Sequence, residues 1–172
     1  PNDSSTQQLV VNLVDEDNSI VGEEAFMNPA NSKEFTIGYY LSKDLGIYDL
    51  DVGFRHDQIE RSGSVSEEEH GDHHDDDHGD DHGDEHGDEH GEVDYYNIDD
   101  STNSFAVTLG RSLTDNLGIS LGYASVERLP SSIELFMNGP HMATGRFEVG
   151  DPNLNSETSN NFDITFNFDN GD

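Results

Sequence analysis

Seven histidines fall in one stretch of 21 residues: His70, His73, His74, His78, His82, His86 and His90. Asp72, Asp76, Asp80, Asp84, Glu85, Asp88 and Glu89 stand between them. The segment 67–94, EEEHGDHHDDDHGDDHGDEHGDEHGEVD, holds seven histidines and fifteen acids and has no basic residue. Imidazole nitrogen together with carboxylate oxygen suits Zn²⁺, and also Ni²⁺ or Cu²⁺. Raw affinity favours Cu²⁺, so selectivity for zinc does not come from this ligand set alone. The carboxylates also concentrate cations by their field, an effect that salt weakens. Neutral imidazole is the ligand form, so capture should fail as pH falls through about 6.5.

His74, His78, His82, His86 and His90 recur every four residues, which would line one face of a helix. Gly79, Gly83, Gly87 and Gly91 each follow a histidine, and each costs such a helix about 1 kcal/mol. Crowded carboxylates repel one another as well. The expectation is a solvated, disordered loop with several overlapping sites of modest affinity, since a flexible chain loses entropy in wrapping a metal. The competing reading is an acidic loop that is inert or responds to pH. Charge alone would not call for histidine, and only two others occur, His56 and His141.

His141, in NGPHMATG, is a candidate ligand with Glu134 or Glu148, or else a turn histidine. His56, in GFRHDQ with Asp57 and Glu60 close by, is expected to end a strand. There it either joins the metal sites at the rim or is a plain surface residue.

Composition excludes several classes. A formal net charge of −31 with 7 Lys+Arg argues against a nucleic-acid partner and against polybasic attachment to lipid. No cysteine is present, which excludes disulfides, thiolate sites and a cysteine nucleophile. Ser131 and Ser132 lack an elbow motif, and no HExxH occurs, so an enzyme is not expected. The turn Gly150–Leu154 lacks the spaced acids of a calcium loop. No apolar run is long enough for a transmembrane helix.

The elements that must carry the histidine tract are strands. Residues 34–42 alternate, with Phe35, Ile37, Tyr39 and Leu41 on one face. So do residues 47–56, with Tyr48, Leu50, Val52 and Phe54. Phe105, Val107 and Leu109 form a third such set, and Leu117, Ile119, Leu121 and Tyr123 a fourth. Phe162, Ile164, Phe166 and Phe168 form the fifth. Period-two alternation predicts antiparallel strands. Gln8–Val14 is a weaker sixth candidate. Short turns at 43–46 and 111–116 alternate with long connections at 57–103 and 126–160. That pattern, with one aliphatic and aromatic face, fits part of a transmembrane β-barrel of about five or six antiparallel, up-and-down strands. Tyr39, Tyr40, Tyr48, Tyr95, Tyr96 and Tyr123 could form part of an interfacial girdle, though Tyr40 falls on the opposite face from Tyr39, so not all of them can.

The segment 127–161 contains RLPSSIELF, GPHMAT and FEVGDPNL, followed by the glutamate that opens the next strand. These pieces resemble the late-barrel signature of TonB-dependent outer-membrane receptors, and GEEAFMNPANSKEFTIGYY resembles a loop-and-strand entry in them. Within that family the His- and acid-rich loop is similar to that of zinc-uptake receptors. The resemblance implies a barrel domain over 1–172 lying in outer-membrane lipid of a Gram-negative bacterium. It also implies an extracellular loop over 62–101 and a TonB partner acting through a plug domain. Five or six strands fall short of the roughly eight that close a barrel, so an internal segment of a longer receptor is expected. The alternatives are a soluble periplasmic zinc-binding protein, or a surface β-protein with a metal-buffering or pH-sensing loop.

Overall fold

A computed structural model describes residues 5–22, 25–66, 92–141 and 145–169. Six long strands form one antiparallel sheet in the order β1–β2–β3–β4–β5–β8. They are β1 (Ser5–Asn18), β2 (Ala30–Asp44), β3 (Asp49–Ser66), β4 (Val93–Thr114), β5 (Leu117–Arg128) and β8 (Glu157–Phe168). Between β5 and β8 lie a short helix, α1 (Ser132–Phe136), and a small hairpin, β6 (Asn138–His141) with β7 (Arg146–Val149). Neighbours in sequence pair up-and-down, as the alternation predicts. The described strands do not close into a barrel.

Register assigns the two faces. Directly opposed residues share a face in an antiparallel ladder. Gln7, Leu41, Val52, Val107, Tyr123 and Phe162 form one cross-strand row. Leu9, Tyr39, Phe54 and Phe105 lie in the next row, and Leu50, Leu109, Leu121 and Ile164 in the row on the other side. Phe105 meets Tyr123 edge-on at 5.5 Å, and Tyr123 meets Phe162 at 4.7 Å between ring centroids. Much of this belt is exposed, with Phe162 at 82% and Leu13 at 75%. A continuous apolar band that size on a monomer needs a covering phase. The opposite face carries Gly, Ser, Thr and charged residues, such as Ser42, Asp51, Thr108, Gly122 and Asp163 in one row.

The belt runs oblique to the strands. On β1 and β2 it reaches up to Leu13 and Phe35, on β3 and β4 only to Phe54 and Phe105, and on β5 and β8 to Tyr123 and Phe162. Strands tilted to a membrane normal produce this offset, because a level lipid slab cuts each successive strand at a shifted position.

The short connections lie at one end of the sheet. Between β2 and β3, Gly46 takes φ 89° and donates its N–H to the Asp44 carboxylate at 2.7 Å. That positive φ is why glycine stands there. The connections 19–29, 67–92 and 129–156 all emerge at the other end.

Two expectations are corrected and a third is borne out. β3 continues to Ser66 and β4 starts at Val93, so the connection is 67–92 rather than 57–103, and shorter than the 62–101 loop. Beyond the belt the outward face is polar and the inner face is partly covered by the α1 unit, so no lipid-facing alternation marks the strands although the ladder persists. The weaker candidate Gln8–Val14 is borne out: it lies within β1, a strand of 14 residues. The stretch 126–160 opens with the end of β5 and contains α1, β6 and β7. The tyrosines divide as the alternation implies: Tyr39 and Tyr123 share the belt face, whereas Tyr40 lies on the opposite face and donates to Asp51 at 2.7 Å.

Candidate functional site

The connection 129–156 folds back over the inner face at the loop end. α1 begins at a capping box: Ser131 Oγ accepts from the Glu134 N–H, and the Glu134 carboxylate accepts from the Ser131 N–H at 2.7 Å. The S-x-x-E spacing at 131–134 is the sequence signal for this helix start, and the sequence reading above missed it. Leu135 and Phe136 are buried at 1% and 0% exposure against Met27 and Ala30, with Val65, Tyr96 and Ile98 packed around. Phe136 lies on Gly63, where a Cβ would come within 2.5 Å of the ring. Glycine on β3 is therefore what lets the ring approach the sheet. Tyr96 stacks on the same ring at 6.2 Å between centroids.

Arginine 128 fastens this unit to the sheet. Its guanidinium donates to both Glu134 oxygens, at 2.8 and 3.0 Å, and to Glu157 on β8 at 2.9 Å. Arg128 and the cap together hold the Glu134 carboxyl down at about 2. Its folded value lies below the ordinary 4.5, so its contribution is full above 4.5 and is lost as pH falls toward 2. The E134Q variant should lose about 1 kcal/mol at neutral pH, a cap's worth with the exposed ion pair adding little. A thermal melt series from pH 6 to 2 should show a smaller acid loss in E134Q than in the parent. Equal acid losses would show that Glu134 is not the titrating group.

The root of the histidine tract is tied down by two asparagines. Asn28 Nδ2 donates to Ser64 Oγ at 3.2 Å and to Ser66 Oγ at 3.0 Å, and Asn138 Nδ2 donates to the Ser66 carbonyl at 2.6 Å. Neither asparagine was legible as a clasp in the sequence, because its partners are 36 or more residues away. Ser66 and Val93 are directly paired, so the tract leaves and re-enters the sheet at adjacent positions.

Inner-face arginines are all neutralised. Arg55 pairs with Asp57 at 2.7 Å and Arg61 with Glu34 at 2.9 Å, alongside Arg128. Asp57, 1% exposed, also accepts from Thr36 Oγ1 at 2.6 Å. Asp51 and Asp163 have no cationic partner among the described residues, so this face keeps an acidic balance.

The sequence-nominated ligands fare differently. His70, His73, His74, His78, His82, His86, His90, Asp72, Asp76, Asp80, Asp84, Glu85, Asp88 and Glu89 lie outside the described residues. Among the described residues no group of three or more His, Cys, Asp or Glu could hold a metal. His56 does not end a strand: it is the eighth residue of β3. It sits on the belt face, opposite Ile37 and Asn103, and its Nδ1 is 2.9 Å from Asn103 Oδ1. Ser66 lies ten residues further along, about 33 Å along β3 at 3.3 Å per residue, so His56 does not reach the rim. Its neighbour Asp57 points to the other face and is fully engaged. Glu134, suggested as a partner for His141, is committed to Arg128 and Ser131. In the β6–β7 ladder the backbone of His141 is paired with Arg146, and Glu148 lies diagonally, opposite Gly139.

The family model described as TonB dependent receptor-like, beta-barrel matches residues 5–172. No solved structure matches the chain significantly. The match begins where β1 begins and takes in all six strands and the inward-folded 129–156 unit. The all-antiparallel sheet, its oblique apolar belt and this match agree: the chain belongs to the TonB-dependent receptor-like β-barrel family, whose barrels lie in the Gram-negative outer membrane and serve receptor and transport functions.

Proposed function

We propose that this chain serves zinc uptake, with the tract 67–94 as an extracellular capture element above the barrel mouth. The observation that carries the reading is the tract's composition at its place in the sheet. Seven histidines and fourteen acids are inserted between β3 and β4, at the end where the long connections emerge. Long connections face outward in outer-membrane barrels. Imidazole and carboxylate together bind Zn²⁺, and Ni²⁺ or Cu²⁺ compete for the same donors. Support also comes from the acidic balance of the inner face, which favours a cation over an anion as cargo. Passage through the barrel would be driven through a plug and the TonB system.

The test is a calorimetric Zn²⁺ titration of the detergent-solubilised protein, intact and with residues 67–91 removed, with Ni²⁺, Cu²⁺ and Ca²⁺ as competitors. Deletion should abolish nearly all Zn²⁺ binding while the fold persists. Binding by the intact protein should also fall steeply as pH drops through about 6.5, where imidazole protonates. A tight site that survives deletion would move the ligand assignment to the folded part, with His141 the first substitution. Zn²⁺ bound no more tightly than Ca²⁺ would sink the zinc reading and leave the receptor family standing.

A further inference from the structure

The chain has 7 Lys+Arg against 38 acids, and two of those bases, Lys43 and Arg111, stand on the outward face near the turn end of the belt. Lys43 is the first outward residue after Phe35, Ile37, Tyr39 and Leu41 on β2, and Arg111 the first after Phe105, Val107 and Leu109 on β4. Lys43 shares its cross-strand row with Ser5, Leu50, Leu109, Leu121 and Ile164, and Arg111 shares the next with Ile119 and Phe166. Neither row contains an acid. The two-residue offset between the cations follows the slant of the belt, which sets both at one depth in the membrane. Arg111 is exposed, and its guanidinium carbon lies 5.5 Å from the centroid of the Tyr48 ring. Arg55, Arg61 and Arg128 on the inner face are each paired with a carboxylate. Lys43, Arg111 and the Tyr48 hydroxyl, by contrast, have no hydrogen-bond or ion-pair partner among the described residues.

We propose that Lys43, Arg111 and Tyr48 bind the headgroup of an anionic glycerophospholipid, its phosphate between the two cations and its acyl chains on Leu50, Leu109 and Ile119. The turn end of an outer-membrane barrel is its periplasmic end. The periplasmic leaflet of that membrane is built of glycerophospholipid, so the occupant is at hand. Charge complementarity selects its sign. Two cations with no acid beside them attract an anionic headgroup and repel the ammonium of a zwitterion. The Tyr48 ring holds the Arg111 guanidinium in place, and that planar fork matches two phosphate oxygens. Lys43 and Arg111 are two strands and two residues apart, about 12 Å between their Cα atoms, so both side chains close on one phosphate from opposite sides. Their stems lie along the apolar rows while the charged ends reach the headgroup level. Continuity with the belt supplies the apolar side, since acyl chains already cover the rows toward the midplane.

The experiment is native mass spectrometry of the detergent-purified protein with phosphatidylglycerol, phosphatidylethanolamine and phosphatidylcholine of identical acyl chains. Phosphatidylglycerol should be retained about tenfold over both others. K43A and R111A should each lose part of that preference, and the double variant all of it. K33A removes a cation from the loop end of the same face and should leave the preference intact. Unchanged thermal melts establish that the variants fold. Equal retention of all three lipids overturns the proposal. So does a preference for phosphatidylethanolamine, or a phosphatidylglycerol preference that the double variant keeps. A loss in K33A as large as in the double variant overturns it too, because bulk charge rather than a site would then be acting. Zinc binding plays no part in these outcomes, so the result is independent of the tract's role.

Discussion

Truncating Phe136 to alanine is expected to destabilise the loop-end unit by about 3–5 kcal/mol, the usual cost of emptying a fully buried aromatic site. Phe136 is 0% exposed, and its ring fills the space between Gly63, Tyr96, Met27 and Ala30. The inward fold of residues 129–156 depends on that anchor. Leu135 adds a smaller apolar contact, and the remaining side-chain ties, the Asn138 bond and the Arg128 fork on Glu134, are polar and partly wet. The converse substitution, Gly63→Val, should reach a similar loss from the opposite side. A Cβ at position 63 meets the Phe136 ring at 2.5 Å, and a fully buried ring has nowhere to retreat. Limited proteolysis reads the outcome: cleavage within 129–156 should appear in both variants while the sheet stays protected. A Phe136→Ala protein that melts within 1 kcal/mol of the parent and resists cleavage would show that the unit is held by its polar ties instead.

An arginine at position 107 and one at position 108 should behave oppositely. Val107 stands in the belt row with Leu41, Val52, Tyr123 and Phe162, and Thr108 in the inner row with Asp51 and Asp163. Arginine near the bilayer midplane of a barrel's lipid face costs about 2–4 kcal/mol. At 108 the same side chain meets water and two carboxylates, so its cost should stay below about 1 kcal/mol. Reversible denaturant titration in lipid vesicles measures both. Equal costs at the two positions, or a larger cost at 108, would mean that the faces have been assigned the wrong way round.

Both predictions separate what can be read along the chain from what cannot. The five alternating runs were legible because a strand with one face in lipid must repeat every second residue, and Phe35 to Leu41 or Phe162 to Phe168 does so without interruption. Strand ends were not legible. Residues 57–66 and 93–103 lie above the lipid, where the outward face is polar and the inner face mixes charged groups with residues such as Val65 and Ile98 that pack under α1, so no apolar alternation marks them and they read as loop although they continue the ladder. His56 suffered from the same blindness: taken as a strand end, it lies within β3 beside Asn103 on the outward face. The capping box at Ser131 and Glu134 could have been found by its spacing alone, because helix starts are local.

Sequence by itself determined the composition of the tract, the antiparallel class of the sheet, and through RLPSSIELF and FEVGDPNL the resemblance to the receptor family. Each of these is encoded within a few neighbouring residues. Tertiary structure decided which residues meet across long separations. It placed Phe136 on Gly63, Asn28 and Asn138 on the root of the tract, Arg128 between Glu134 and Glu157, and Lys33 opposite Glu60. It also set the slant of the apolar belt, which is a property of register between strands. No single strand carries that information, because the level at which lipid cuts one strand is fixed only relative to its neighbours.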